Sequence, residues 1–259
     1  MVGVRAHESI RTECIGPVLI VTIDRPAARN AVNRDMAHAI AAAMDRLDAE
    51  QGLSLGIITG AEGCFSAGAD LKAAAAGALR PLPERGHFGL CRRPPAKPLI
   101  AAVEGLAFGG GFEIVLACDL VVAARDARFG LPEVRRGLVA AAGGALRLAR
   151  RLPHSIAAEI ALSGEPVPAE LLHRFGLINR LVEPRGALSA ALELADSLLE
   201  GAPLALAATI EIIRASRSWT DAEGWTAQEE LLERVRASED RLEGLASFKE
   251  KRKPVWKGC

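Results

Sequence analysis

Residues 99–123, LIAAVEGLAFGGGFEIVLACDLVVA, decide the fold. A short apolar run at 99–103 leads to three glycines at 109–111, and a helix-like apolar segment then continues to about Cys118. Residues 119–123 return to the Leu-Val-Val pattern of a strand buried on both faces. Strand, turn, helix and strand in this order make a crossover unit, and such units build a largely parallel sheet. Two choices in the middle are poor as pure structure. Glycine loses more backbone freedom on folding than any other residue. Glu113 stands alone among Phe112, Ile114, Val115 and Leu116, where burial without a partner is costly. The pairing marks either a site or a tight turn with Glu113 exposed at a helix start, where the helix dipole favours an acid.

Working outward, residues 18–24, VLIVTID, are β-branched and stop at Arg25-Pro26, which predicts a strand. Asn33 is placed to cap a helix through about Glu50, with Met36, Ile40, Met44 and Leu47 on one buried face. Residues 55–59 predict a second strand, followed by two small-residue turns in CFSAGADL at 64–71. The alanine run at 73–76 predicts helix. Residues 80–98 carry five prolines and interrupt the pattern, predicting a mobile surface loop or a short irregular helix that acts as a lid. Beyond Gly143 the chain predicts helices at 145–152, 155–162, 169–175, 186–200, 203–215 and 221–238, with a small strand at 178–182. The expected division is an α/β core over 1–200 and a helical C-terminal region over 201–259 that needs a partner subunit to bury its apolar faces.

Composition narrows the function classes. Of 259 residues, half are hydrophobic and a quarter charged, with 32 acids balancing 32 bases, so no general attraction to nucleic acid or anionic membrane is expected. The N-terminal residues MVGVRAHESIRTECIG hold no long apolar core, and no long uncharged apolar run follows, which predicts neither a secretory leader nor a membrane span. Five cysteines lie scattered at 14, 64, 91, 118 and 259 without a C-x-x-C pair, and five histidines show no ligand spacing. Free thiols in a reducing cytoplasm, and no metal, are expected.

Two turns carry the candidate chemistry. Ala69-Asp70-Leu71 follows one strand through Gly68, and Gly109-Gly110-Gly111 follows another and opens a helix. Loops at the carboxyl ends of adjacent parallel strands lie side by side, where α/β sheets bind ligands. One N–H from each turn can then meet on a single oxygen, the second helped by the positive end of the helix. Such a pair stabilises an oxyanion, and loss of one donor typically costs about 3 kcal/mol of barrier. Glu113 lies one turn into the helix and can lean back to the same end. A second acid, Glu133, follows Pro132 in FGLPEVRRG. Paired carboxyls beside an activated carbonyl divide proton donation from proton removal, although an acid after a proline also commonly starts a helix. A phosphate-loop reading of the glycines fails, since no Lys-Ser/Thr follows them and no G-x-G-x-x-G is present.

CFSAGADLK, AAVEGLAFGGGFEIVLACDLVVA and ARFGLPEVRRGLVAAAGG, in this order and spacing, resemble the crotonase superfamily, and most closely its enoyl-CoA hydratase members. DRPAARNAV near the start and SFKEKRKPVWKG at the end extend the resemblance over nearly the whole chain. The resemblance implies a crotonase-like spiral of ββα units with a helical C-terminal trimerisation region, assembled as trimers or as hexamers. It implies that Ala69 and Gly110 supply the oxyanion N–H groups to an acyl-CoA thioester. It implies that Glu113 helps activate water and Glu133 protonates Cα during syn hydration of a trans-2-enoyl-CoA in fatty-acid or related acyl-CoA metabolism. Ala69, Asp70, Leu71 and Lys72 match the segment lining CoA, with Asp70 alternatively a tie within its loop. Arg29 and Ala31 match positions beside the diphosphate and thioester arm, with a solvated Arg29 as the plainer reading. Phe248 and Lys251 resemble a pair that reaches a neighbouring protomer's CoA. No cofactor beyond the substrate's own CoA is implied. One departure stands out: many hydratases have Pro-Gly-Ala-Gly-Gly where this chain has Ala140-Ala141-Ala142-Gly143-Gly144, in a loop bordering the acyl group and the water. Double-bond isomerisation, thioester hydrolysis, decarboxylation and non-catalytic acyl-CoA binding are the rival readings; the two glutamates favour hydration over isomerisation and over non-catalytic binding, while hydrolysis and decarboxylation would use the same oxyanion pair and stay open.

Overall fold

The sequence folds around Asn33, whose side chain accepts the Met36 N–H at 2.9 Å and starts α1 (Arg34–Ala49). Met36, Ile40, Met44 and Leu47 are fully buried along one face, each contributing about 2 kcal/mol by leaving water. The computed structural model describes residues 8–77 and 80–259. Residues 1–7, part of the stretch read for an N-terminal leader, and residues 78–79 lie outside the described residues.

Among the described residues the main sheet is built from β1 (Ile10–Ile15), β2 (Val18–Ile23), β3 (Leu55–Gly60), β4 (Leu99–Val103), β6 (Leu120–Ala124) and β9 (Arg180–Val182), side by side in that order. All neighbours are parallel except β1 against β2. A small second sheet joins β5 (Leu106–Phe108), β7 (Arg128–Gly130) and β8 (Val167–Pro168). Strand residues alternate between faces. Leu19, Val21 and Ile23 therefore face α1 and α3 (Gly110–Ala117), while Val18 and Ile20 face α7 (Ala187–Leu198), whose alanines 187, 190, 191 and 195 are buried against them. The strands read from sequence at 18–24, 55–59, 99–103 and 119–123 are all present. β1 escaped that reading because it is an edge strand with only Ile10 buried, so it carries no apolar alternation. β5, β7 and β8 have three residues or fewer and show no period at all.

The remaining helices are α2 (Leu71–Ala75), α4 (Gly144–Arg151), α5 (His154–Ser163), α6 (Ala169–Arg174), α8 (Pro203–Ala215), α9 (Asp221–Arg236) and α10 (Glu239–Glu250). α10 is a helix the sequence reading did not separate. Ser238, taken there as the end of one helix, caps the next by accepting the Arg241 N–H at 3.2 Å. Over residues 80–98 the structure decides between the two readings. They hold a short irregular helix, His87–Gly89, but they are not a loose surface loop. Leu82, Phe88, Leu90 and Cys91 are buried, and the nearly inaccessible Arg85 guanidinium bonds Asp45 at 2.6 Å and Asp48 at 2.8 Å on α1. The proline count gave no sign of this, because the anchor is a long-range ion pair.

The C-terminal helices are tied to the sheet through Asp119. Its carboxylate accepts the Leu99 N–H at 2.8 Å and takes a two-pronged contact from Arg214 on α8, at 2.7 and 2.6 Å. Farther out, Leu242, Leu245 and Phe248 stand exposed, three residues apart on α10. No helix among the described residues is long and apolar enough to cross a membrane. Removing the cation from Arg214 strands a buried carboxylate, so Arg214→Met is expected to lower the stability by about 2–4 kcal/mol. Urea unfolding checks this, and an unchanged midpoint would show that Asp119 is held well enough by Leu99 alone.

Candidate active site

Two main-chain bridges set the site. Val32 N–H donates to the Gly68 carbonyl at 2.8 Å and Asp70 N–H to the Val32 carbonyl at 3.0 Å. Ala69, between them, must point its own N–H the other way, since alternate residues of extended chain face opposite sides. The second bridge joins Ser66 and Ala107, with Ser66 N–H bonded to Leu106 and Phe108 N–H to Ser66, each at 3.0 Å. It lays the Ala69 turn along the chain that enters α3. The approach is close enough that a Cβ on Gly68 would sit 2.8 Å from the Gly110 nitrogen. Gly68 also has φ of +95°, a conformation open mainly to glycine. Gly110 begins α3, where N–H groups have no acceptor within the helix. Among the described residues neither the Ala69 nor the Gly110 N–H donates to another group of the chain.

Side chains outside the predicted set hold this arrangement. Asn30 is fully buried and donates to the carbonyls of Ala61 and Cys64 at 3.0 and 2.6 Å, while its own oxygen accepts the Arg25 N–H at 2.8 Å. Ser66 Oγ donates to the Asn30 carbonyl at 2.8 Å and accepts the Gly68 N–H at 3.1 Å. The Phe88 ring lies on Gly110 where any Cβ would fall, which leaves glycine as the residue that fits. Asn30 sits inside the DRPAARNAV stretch, so its place was visible but not its bonds; Phe88 carried no signal beyond being apolar.

Glu113 is buried, only 3% exposed, and Oε1 accepts the Gly144 N–H at 2.8 Å. The reading of an exposed helix-start acid is thereby excluded. Burial raises its carboxyl to about 7, and the charge of Glu133 adds to the rise, while the Gly144 and Ala142 N–H groups and Arg147 act against it. The loop that departs from the family pattern, 140–144, is thus what grips Glu113. Ala140 and Ala142 are buried, and a Cβ on Gly144 would sit 2.9 Å from the Glu113 carboxyl.

Glu133 lies on the short helical turn Pro132–Arg136. One oxygen comes within 3.1 Å of where a Cβ on Gly109 would be, and Oε2 is buried with no hydrogen-bond partner. Burial pushes this carboxyl up as well, offset in part by its own backbone N–H and by Arg136. The Gly109 N–H bonds the Gly130 carbonyl at 2.9 Å, which fixes the Glu133 segment beside the glycine turn. Ala69, Gly110, Glu113 and Glu133 therefore surround one small region, although 64 residues separate Ala69 from Glu133.

The other candidate residues divide into two groups. Ala67 N–H bonds the Arg29 carbonyl at 2.9 Å, so Arg29 and Ala31 border the Ala69–Lys72 turn. Arg29 is exposed and forms no ion pair among the described residues, and Leu71 and Lys72 are exposed beside it. Asp70 is committed to its loop: it accepts Lys72 and Ala73 N–H at 3.0 and 3.2 Å and bonds Arg25 at 2.6 Å, which holds its carboxyl below the ordinary range. That is the tie the sequence left open. Phe248, 87% exposed, and Lys251 lie on and just beyond α10, and the chain itself brings neither to the two glutamates. No cluster of three or more His, Cys, Asp or Glu suited to a metal occurs among the described residues.

Comparison with known proteins places this geometry. The family model described as enoyl-CoA hydratase/isomerase matches residues 14–259. The chain is 43% identical to the carnitinyl-CoA dehydratase of Salmonella arizonae, over 97% of this chain and 99% of that protein. It superposes on the crystal structure of an enoyl-CoA hydratase from Mycobacterium tuberculosis H37Rv with a TM-score of 0.95, at 49% identity over 98% of this chain and all of that one. The enoyl-CoA hydratase EchA1 from Mycobacterium marinum gives a TM-score of 0.95 at 50% identity over the same 98%.

The raised carboxyl of Glu113 makes a prediction about stability. Its pKa is higher folded than the ordinary 4.5, so the folded chain holds this proton more tightly and loses stability as pH climbs from about 4.5 through about 7. Glu113→Gln keeps an acceptor for Gly144 and removes the penalty. It should gain up to about 3 kcal/mol over the parent at alkaline pH and match it in acid. Urea unfolding at both pH values checks this; a variant equally stable to the parent at alkaline pH would mean Glu113 ionises without cost.

Proposed function

The chain belongs to the enoyl-CoA hydratase/isomerase family, and on that premise we propose that it adds water to a trans-2-enoyl-CoA, giving a 3-hydroxyacyl-CoA. Its fold is the crotonase fold of the solved relatives. One observation carries the proposal: two unengaged main-chain N–H groups and two carboxyls that burial raises above the ordinary range, Glu113 to about 7, meet around a single turn. The thioester oxygen accepts from Ala69 and Gly110 N–H. Ionised Glu113 takes a proton from water as the oxygen bonds Cβ. The π pair then moves toward the thioester, placing negative charge on the oxygen that the two N–H groups hold, so they bind the transition state more strongly than the substrate. Glu133, protonated, gives its proton to Cα, and exchange with solvent restores both acids. The orphaned Glu133 Oε2 supports this assignment, because a buried carboxyl oxygen without a donor favours the neutral form that a proton donor needs.

The curated relatives are named for dehydration of carnitinyl-CoA, which is the same bond change run backwards, and this supports a hydro-lyase over an isomerase or hydrolase. CoA would lie along Arg29, Ala31 and the Ala69–Lys72 turn, with Arg29 free to meet phosphate. No cofactor enters the reaction. The exposed Leu242, Leu245 and Phe248 suit a neighbouring protomer that covers this face of α10, and the assembly proposed is a trimer or a dimer of trimers. Light scattering on the purified protein should give three or six protomers; a monomer would remove Phe248 and Lys251 from any shared site.

Purified protein is expected to consume the conjugated absorbance of crotonyl-CoA. Glu133→Gln should lower kcat about a hundredfold or more, the usual loss for a missing general acid. Undiminished turnover in that variant would remove Glu133 from the reaction, and no turnover by the parent on any enoyl-CoA would sink the hydratase reading.

A further inference from the structure

A cavity of about 380 Å³ opens behind the segment that holds Glu113, within the size range of small-ligand pockets. Its walls are the backs of two segments already met. Ala142 and Gly143 run straight into Gly144, which grips Glu113, and His87 precedes Phe88, whose ring lies on Gly110. Arg147 fastens the two walls together by donating to the carbonyls of Ala142 and Cys91. The cavity is on the Glu113 side of the turn, whereas Arg29, Ala31 and Lys72 border the Ala69 side. Gly144 and Phe88, each next in sequence to a lining residue, stand between the cavity and the Gly110–Glu113 turn.

The lining is unusual in charge. Arg92, Arg147 and Arg150 all contribute to it, and no Asp or Glu does. Arg92 and Arg150 form no ion pair among the described residues, and Arg147 meets only backbone carbonyls. The acids nearby are already taken: Asp45 and Asp48 by Arg85, and Glu84 by Arg93. His87 is half-buried, and burial lowers its pKa and favours the neutral ring. Arg92 and Arg150, without an ion-pair partner, and Arg147, whose nearest acid is Glu113, give the recess a net positive lining suited to an anion, and guanidinium matches carboxylate in a planar, two-pronged geometry. The same charge repels a quaternary ammonium such as the one a carnitinyl group carries.

We propose that this cavity receives the distal end of the acyl chain, and that Arg92, Arg147 and Arg150 select acyl-CoA substrates whose far end bears a carboxylate. The inference rests on the hydratase reading for its placement of the thioester, and it gives the substrate class: thioesters of CoA with one carboxyl of an unsaturated dicarboxylic acid.

Binding of saturated analogues tests it without turnover. Glutaryl-, adipyl- and suberyl-CoA are compared by calorimetry with pentanoyl-, hexanoyl- and octanoyl-CoA, on the parent protein and on the double variant Arg92→Glu/Arg150→Glu. Both positions are exposed, so the charge reversal leaves the core intact. At least one dicarboxylic thioester is expected to bind about tenfold or more tightly than its neutral counterpart, which is about 1.4 kcal/mol. In the double variant that ratio should fall to one or invert. Equal binding by the parent overturns the proposal. So does a double variant that weakens both series alike, which would assign the arginines to the CoA phosphates. Crotonyl-CoA turnover with no carboxylate preference sinks this inference alone; a carboxylate preference with no turnover of any enoyl-CoA sinks the hydratase reading alone.

Discussion

An extended main chain points each N–H to one side only, and the site depends on that constraint. Pairing Val32 with the chain on either side of Ala69 satisfies Gly68 and Asp70 and turns the Ala69 N–H outward. The bridge between Ser66 and Ala107 then brings this N–H beside the first N–H of α3. The Ala69 donor is left over by regular bonding of its neighbours and the Gly110 donor by its place at the start of α3, so both are set in the fold before any substrate arrives. Asn30, Ser66 and Phe88 keep the two turns in contact, and Gly68 and Gly110 are the places where any side chain would push them apart.

The two acids are perturbed by the same cause in different settings. Burial raises both, yet Glu113 accepts a backbone N–H from Gly144 while Glu133 has one oxygen with nothing to accept. N–H donors favour an ionised carboxyl and their absence favours a neutral one. The surroundings therefore suit Glu113 to removing a proton and Glu133 to giving one, as the proposed hydration requires. The alanines at 140–142 keep the backbone that holds Glu113, so their departure from the hydratase pattern alters the wall of the neighbouring cavity without disarming the acid.

That cavity separates kinship from substrate. The relatives named for carnitinyl-CoA share 43% of their residues with this chain. A recess lined by three arginines and, among the described residues, by no acid is nonetheless a poor host for a cationic acyl group. On the proposed reading, reaction chemistry resides in the main chain and two acids, while selection resides in surface-facing side chains of α4 and of the segment before β4. These can change without disturbing the bridges that hold the N–H groups.

Local pattern was enough for the principal elements. Residues 99–123 disclosed strand, turn, helix and strand, Asn33 its cap, and the spaced apolar residues of α1 their buried face, because each depends on neighbours a few positions away. The ordered motifs also named Ala69, Gly110, Glu113 and Glu133. Tertiary structure alone decided that Glu113 is buried and held by Gly144, that Asp70 is bound to Arg25, that Arg85 pins residues 80–98 to α1, and that three arginines share one recess. Those are contacts between residues from 30 to 60 positions apart, as with the 31 between Glu113 and Gly144 and the 45 between Arg25 and Asp70. Hydrophobic period and turn chemistry report only on the nearest few residues, so the partner of a charge stays hidden until the chain has folded back on itself.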